Sequence, residues 1–493
     1  MKQEFTMFSL IHIGFQRQSE YYNIIEYQGV DEVMLQDFAR AIKGRVILPN
    51  NQDYDTARKL FYGGFDRKPK AIVRVKDASD VQKTIAFTKE NNYELAVRSG
   101  GHSVAGYSVI DDSIVIDFTD MRQLEIDTEL KTAWAEPGLT SGEVTNELDK
   151  HNLVLGFGDT GSVGSGGITL GGGVGYLVRK FGLTIDNLLA AEIVTADGKI
   201  LRIDKDNHPD LFWAIRGGGG NFGVVTKFKY QLHDLAECYG GMMFLPATAE
   251  VIAGFVDIAQ KAPDELSTII NIMPTPPMPG IDKDQIGKLS VIALMVYAGD
   301  PKEGERVIAP VRALAKPIVD MVKPMRYKEI YFPEDESYHP KAVGLNLHLN
   351  TIDFNLAKII AHLNSIDAPM RALQLRVLGG AMSRVPIDET AYANRKAPIM
   401  ANIAAFYGTE DERKARQQWA ESFAKLLDQG NPAVYVNFLG LNEKDRIRDA
   451  YPGKTWERLV EVKKRYDPAN FFHNNANISP TPVRQIHPAQ RSK

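Results

Sequence analysis

The residues best suited to chemistry are sparse and set among glycines. The run from Gly156 to Gly175 carries only Asp159, Thr160, Ser162, Ser165 and Thr169 as polar side chains. Glycine reaches positive φ and puts no Cβ in the way, so such a loop lets backbone N–H groups close on a large anionic ligand. Polar groups set this far apart suit single hydrogen bonds better than metal coordination. A flexible linker is the poorer reading, because Val163, Ile168, Leu170 and Val174 are interleaved and linkers rarely carry them. A second cluster, Arg98, Gly100, Gly101 and His102, joins a guanidinium, backbone donors and an imidazole. An isolated histidine in a turn is usually a hydrogen-bonded structural group, but these neighbours favour a ligand site here.

The elements that must position these groups can be read on either side of them. Ordered structure is expected from about Gln36, with strands at 44–48 and 71–75, a helix opened by a capping box at 79–82, and a strand at 94–99. This β-α-β unit delivers His102 at a strand end, where α/β folds tend to bind ligands. A strand is expected at 113–118, a hairpin over 124–127 and 132–135, and a helix after Thr140, where Glu143 completes a second capping box. Strands at 191–196 and 199–203 bracket the turn dipeptide Asp197-Gly198. The mixture points to α+β layers rather than a regular doubly wound sheet.

Composition excludes several classes. The 493 residues are 44% hydrophobic and 24% charged, a globular balance long enough for about two domains of roughly 100 to 250 residues. A formal charge of −4 gives no nucleic-acid footprint. The lone Cys238 rules out a disulfide framework, a cysteine-rich zinc site and an iron–sulfur cluster, and reads as a passive thiol. Residues 8–15 are apolar but lack a small-residue cleavage pattern after them, so 1–35 is expected to be a poorly ordered leader. No stretch is apolar for the length of a bilayer. The expectation is a cytoplasmic monomer or dimer with no nucleic-acid or membrane partner.

One motif misleads. Gly218 to Gly223 fits the G-x-G-x-x-G dinucleotide pattern, which needs a strand before it and a helix after it. Here a helical run at 210–216 precedes it and the β-rich 224–232 follows, so a nicotinamide-binding Rossmann enzyme is set aside. No Gly-Lys-Ser/Thr closes a P-loop.

Residues 97–103, the glycine run through Tyr176, Asp186-Asn187, 195–198 and 212–226 resemble the FAD domain of the para-cresol methylhydroxylase and vanillyl-alcohol oxidase superfamily. Tyr435-Val-Asn-Phe438 and 466–472 are similar to its berberine bridge enzyme-like branch. The likeness runs from about Arg45 to Pro480, with separated motifs in the family's order. It implies an α+β fold with a two-subdomain FAD-binding domain at 36–235 and a substrate-binding domain at 236–430, an antiparallel sheet covered by helices. A segment at 431–480 would return to the FAD domain, leaving a tail at 481–493.

The resemblance implies FAD held between two facing glycine loops. The first would contribute Arg98, Ser99, Gly100, Gly101, Ser103 and Gly106. The second would contribute Asp159, Thr160, Val163, Gly164, Gly166 and Gly167, continued by Thr169, Gly171, Gly172 and Gly175. Gly223, Val224, Val225 and Asn475 would complete the contacts. His102 occupies the position that in the family bonds through a ring nitrogen to the flavin 8α carbon. Bicovalent members add a cysteine four positions before the first glycine of Gly-x-Gly-Gly; Thr160 stands there, so a single histidyl link is implied.

In the middle of the chain, strands are expected at 267–273 and 289–297 around a proline-rich tip, then a helix opened by Asp300, strands at 373–378 and 399–406, and a charged outer helix at 410–427. A strand at 433–439 and a helix at 454–466 ended by Asp467-Pro468 follow.

The reaction implied is oxidation of a small alcohol, sugar or amine by hydride transfer to flavin N5, with O2 or another acceptor. An alcohol must also lose its O–H proton, which calls for a base. In many relatives the last residue of Tyr-x-Asn-Tyr supplies a hydroxyl, and Phe438 stands there. On a strand, Tyr435 and Asn437 share a face and Phe438 lies opposite, so Tyr435 does not simply replace the missing group. Tyr435, Asn437 and Tyr107 are candidate catalytic residues, and Gln374 and Arg376 candidate substrate contacts. A dehydrogenase with a non-oxygen acceptor and a non-catalytic flavoprotein are the alternatives.

Overall fold

The computed structural model describes residues 33–481 apart from 334, 336, 353 and 354. Most of the expected leader, including 8–15, and the tail from 482 lie outside the described residues. The described residues open with a helix over 33–41, slightly ahead of the expected start. It forms because Leu35 and Phe38 bury against Val73, Val81 and Ile85, with Phe38 stacked on Phe87 at 4.3 Å.

A four-stranded sheet has the order Arg45–Ile47, Ala71–Arg74, Ser113–Asp117, Glu94–Arg98, and Ser113–Asp117 runs parallel to both its neighbours. The expected β-α-β unit is present with a third strand inserted between its two. Its helix, Ala78–Glu90, is capped earlier than the box at Ser79 suggests: the Asp77 carboxylate accepts from the N–H groups of Ser79 and Asp80. A carboxylate offered two donors is the stronger cap. Thr140 and Glu143 form the expected reciprocal box opening Ser141–Asp149.

The second sheet is antiparallel, in the order Leu124–Asp127, Thr132–Ala135, Val224–Gln231, Leu188–Val194, Ile200–Asp204. Both expected hairpins are in it, and Gly198 takes φ +79° at the second turn.

The third sheet runs Val319–Asp320, Cys238–Pro246, Leu289–Tyr297, Leu266–Pro274, Arg371–Val377, Ile399–Phe406, Ala342–Leu349, with Lys323–Met325 also paired to Cys238–Pro246. Alternation divides it into two faces. Leu373, Leu375 and Val377 bury with Phe255, Ile359 and Phe423 from the helices Ala249–Lys261, Leu356–Leu363 and Glu410–Leu427. Gln374 and Arg376 point the other way, toward the glycine-rich layers. Strand Cys238–Pro246 escaped the sequence reading because its paired glycines and methionines carry little β preference.

Two local expectations fail. The glycine run is not one continuous loop, since Ser165–Gly171 coils into a short helix. Residues 433–439 are not a strand. Side chains take the place of a partner strand: Asn346 Oδ1 accepts from Tyr435 N at 2.6 Å, while His348 and Asn394 donate to the carbonyls of Ala433 and Val434. Val436–Phe438 then closes as a 3₁₀ turn.

No described helix is long and apolar enough to cross a membrane, and no cluster of three or more His, Cys, Asp or Glu among the described residues could hold a metal.

Candidate active site

The two glycine loops touch. A Cβ on Gly100 would lie 2.3 Å from the backbone nitrogen of Gly164, and one on Gly164 would lie 2.1 Å from that of Gly100. Ser99 locks the junction, its Oγ accepting from Gly166 N at 3.2 Å and donating to Pro137 O at 2.5 Å. Behind it, the N–H groups of Ser141 and Gly142 pin the carbonyls of Val163 and Gly161. A cavity of about 340 Å³ opens between these loops, the misleading glycine run at 218–223 and the third sheet.

From the first loop Ser99, Gly100, Gly101, His102, Ser103 and Tyr107 line this cavity. From the second, Asp159, Thr160, Val163, Gly164, Gly166 and Gly167 line it, and Gly223, Val224, Val225 and Asn475 form another wall. Arg376, Tyr435, Asn437 and Phe438 close one end.

The other expected site residues stand behind the walls. Arg98 donates to Ala57 O under the first loop, and Gly106, at φ +68°, packs on Phe65. Thr169 bonds Ser165 O and the Tyr230 hydroxyl in the core. Gly171 and Gly172 leave room for Asn437 and Tyr435, and Gly175 for the carbonyl of Gly158. Gln374 reaches Arg376 rather than the cavity.

His102 is held on two sides. Its ring stacks on Phe61 at 4.0 Å and 19°, and its Nε2 lies 2.9 Å from Ser162 Oγ.

At the closed end, Arg376 spends its nitrogens on protein acceptors. Nε and Nη2 donate to Gln374 Oε1 at 3.1 and 2.8 Å, Nη1 to Val174 O at 2.8 Å, and Nη2 to Asp159 Oδ2 at 2.6 Å. Phe438 lies over the guanidinium at 4.8 Å. Asp159 thereby becomes a fixed carboxylate on the cavity wall.

The Tyr435 oxygen accepts from Gly173 N and Asn437 Nδ2, both at 2.9 Å. Burial raises its pKa in spite of these two donors, so it stays a neutral phenol. In a 3₁₀ turn, side chains three apart eclipse. The Tyr435 and Phe438 rings therefore meet edge to face at 5.1 Å, which corrects the opposite-face expectation.

Sequence reasoning missed Tyr62, which lines the same end and whose hydroxyl burial pushes up to about 12. It also missed Gly219, Gly220 and Asn221 as cavity walls. The glycines were the available signal, discounted with the dinucleotide pattern; Tyr62 carried none beyond its place in Phe61-Tyr-Gly-Gly.

The C-terminal return is clamped by a fully buried ion pair. Lys463 Nζ donates to Asp467 Oδ2 at 2.7 Å, Asn221 O at 2.8 Å and Phe472 O at 3.0 Å. The Asn475 amide nitrogen reaches Gly220 O at 3.2 Å, while its buried Oδ1 has no protein partner.

These features fit FAD. A Cβ at Gly167 or Gly220 would meet no protein atom within 4 Å, so the missing side chains keep open space for a ligand. The orphaned Asn475 Oδ1 suits a donor of the kind adenine and ribose carry. A glycine-walled cavity bearing a clamped histidine, under an antiparallel sheet backed by helices, defines a FAD-linked oxidoreductase.

The family model described as FAD binding domain matches residues 69–204, and the one described as Berberine and berberine like matches 434–479. The chain belongs to the berberine bridge enzyme-like branch of the FAD-linked oxidoreductases. FAD-linked oxidoreductase pgmH of Aspergillus terreus is 36% identical over 480 residues, covering 89% of this chain and 94% of that one. The (R)-6-hydroxynicotine oxidase of Paenarthrobacter nicotinovorans is 30% identical over 464 residues, covering 89% and 97%. The crystal structure of 6-hydroxy-D-nicotine oxidase from Arthrobacter nicotinovorans superposes with a TM-score of 0.80 at 26% identity, covering 89% of this chain and 98% of that one.

Proposed function

We propose that the protein oxidises a small alcohol, sugar or amine, with FAD attached through His102 and O2 as the electron acceptor. The observation that carries this reading is that His102 and Asp159, one on each of two touching glycine loops, line the same cavity. Bound FAD supplies the two-electron acceptor that takes a hydride from the substrate carbon.

The chain's own groups do the rest. The glycine walls offer backbone donors to the cofactor phosphates. Asp159 accepts the proton released from the substrate O–H or N–H, and Arg376 keeps that carboxylate from turning away. Neutral Tyr435 orients the turn and its Asn437 amide. Tyr62 and Phe438 exclude water from the closed end. Thr160 has no thiol and Cys238 is buried against Met325 O, which supports a single link to the flavin. The oxidase name of the 6-hydroxynicotine-oxidising relative supports O2 as acceptor.

The test is a visible spectrum before and after acid precipitation, then anaerobic bleaching with sugars, aromatic alcohols and amines, followed by readmission of air. A yellow pellet, bleaching by one class and rapid reoxidation are expected. Colourless protein that takes up no FAD would end the reading; colour left in the supernatant would remove only the covalent link.

A further inference from the structure

We propose that the substrate is an uncharged aromatic alcohol, its ring held by Tyr62 and Phe438 and its hydroxyl at Asp159. This rests on the oxidation proposed above and narrows its three substrate classes to one.

Charge decides first. Among the described residues that line the cavity, Asp159 and Arg376 are the only Asp, Glu, Lys or Arg, and Arg376 Nη2 pairs with Asp159 Oδ2 at 2.6 Å. The closed end therefore carries no net charge. An alkyl amine, like lysine with its pKa of about 10.4, is a cation at neutral pH. A cation taken out of water needs a counter-charge that has no other partner, and Asp159 already has one. A substrate bearing a carboxylate meets the same difficulty, because Arg376 gives its other bonds to Gln374 Oε1 and Val174 O.

Hydrogen bonding decides next. A sugar bears a hydroxyl on almost every ring carbon, and each one buried without a partner costs about 1–3 kcal/mol. The closed end has few partners to offer. The Tyr435 oxygen is taken by Gly173 N and Asn437 Nδ2. Asp159 Oδ1 accepts a long bond of 3.4 Å from Thr160 Oγ1, which leaves it room for a stronger donor. The Tyr62 hydroxyl makes no hydrogen bond among the described residues, and burial, with the Asp159 charge adding to the effect, keeps it a neutral donor. One acceptor and one donor match a single alcohol group, whose O–H donates to Asp159 and whose oxygen accepts from Tyr62.

The rest of the closed end is aromatic. Phe438 has Arg376 over its ring at 4.8 Å and meets Tyr435 edge to face at 5.1 Å, yet it stays half-buried and lines the cavity. Tyr62 meets Phe61 at 5.0 Å and 89° and lines the same end. A substrate ring set against these two gains about 0.5–1.5 kcal/mol beyond its buried area. Oxidation breaks the alcohol O–H bond and one carbinol C–H bond and forms the carbonyl. The proton goes to Asp159 and the hydride to FAD; the two electrons and two protons end on O2 as hydrogen peroxide.

The test uses the full chain loaded with FAD, at pH 7. Binding of 2-phenylpropan-2-ol, which has no carbinol hydrogen to lose, is compared by calorimetry with that of benzylamine, benzoate and glucose. Anaerobic bleaching is then compared for 4-methoxybenzyl alcohol, benzylamine, 4-(hydroxymethyl)benzoate and glucose. The neutral aromatic alcohol should lead in both by about tenfold or more, the equivalent of 1.4 kcal/mol. Tyr62→Phe should weaken binding of the tertiary alcohol about fivefold, the loss of one hydrogen bond of about 1 kcal/mol, and leave bleaching at saturation within about twofold of wild type.

The inference fails if glucose or benzylamine binds and bleaches best, if the charged ring compounds match the neutral ones, or if Tyr62→Phe binds the tertiary alcohol as wild type does. Failure of the underlying oxidation looks different: the tertiary alcohol would bind as expected, yet no member of any class would bleach the bound FAD.

Discussion

Arg376 Nη2 lies 2.6 Å from Asp159 Oδ2, tying the third sheet to a glycine loop 217 residues earlier. The guanidinium has three other bonds to protein acceptors, so its service is to hold the carboxylate. In the FAD-loaded fraction, Asp159→Asn should slow anaerobic bleaching by about 10²- to 10⁴-fold, the usual effect of losing a general base. Bleaching at the wild-type rate would show that the proton goes elsewhere.

The contact between Gly100 and Gly164 sets a contrast between two kinds of glycine. Ala at either of these positions forces backbone apart and should cost about 1–3 kcal/mol or more, seen as a lower Tm and loss of FAD. Gly167→Ala and Gly220→Ala meet no protein atom within 4 Å, so they should fold normally and lose only FAD affinity. Equal Tm losses in all four variants would deny the distinction.

Tyr435 is neutral because burial raises its pKa, and its oxygen already accepts two N–H donors. Tyr435→Phe leaves those donors unsatisfied and should lower stability by about 1–3 kcal/mol. Its bleaching rate should run parallel to that of wild type between about pH 6 and 9, since no phenol ionises in that range. A pH limb lost in the variant would instead mark Tyr435 as the base.

His348 binds Ala433 O through Nδ1, and burial lowers its pKa from 6.5, with that bond opposing the shift and nearby Arg446 reinforcing it. The unfolded chain therefore takes up a proton near 6.5 while the folded one does not. Its contribution to stability is full above pH 6.5 and is lost as pH falls below it, by up to about 1.4 kcal/mol per pH unit until the folded histidine also protonates. Denaturant titrations of wild type and His348→Gln at pH 7.5 and 5.5 should show the flatter dependence in the variant.

The side chains of Lys463 and Asp467 have no solvent exposure, and Asp467 also accepts from Phe471 N and Phe472 N. Lys463→Met would leave that carboxylate buried without its cation and should cost about 3–5 kcal/mol. It would also release Asn221 O and Phe472 O beside the cavity, so FAD dissociation from a non-covalent His102→Ala background should quicken. A Tm within a degree of the parent would remove the clamp from the account.

Much of the fold was legible because its signals are local. The hairpin turn at Asp197-Gly198, the Thr140 and Glu143 box and the strand Leu289–Tyr297 each follow from backbone preference and side-chain alternation over a few residues. The failures differ in origin. Asp77 outbid its neighbour Ser79 as cap, a local contest, whereas residues 433–439 had strand-like composition but took the distant side chains of Asn346, His348 and Asn394 for partners instead of a strand.

What the amino acids alone determined about the site is a set of presences and absences: two glycine runs, a histidine beside the first, no thiol at Thr160 and no hydroxyl at Phe438. Which groups face one another was decided only by the tertiary structure. Ser162 meets His102 and Asp159 meets Arg376 across 60 and 217 residues. Such pairings depend on sheet register and on how closely two backbones approach, and these are set by packing of the whole chain. A short motif holds no information about its distant partner.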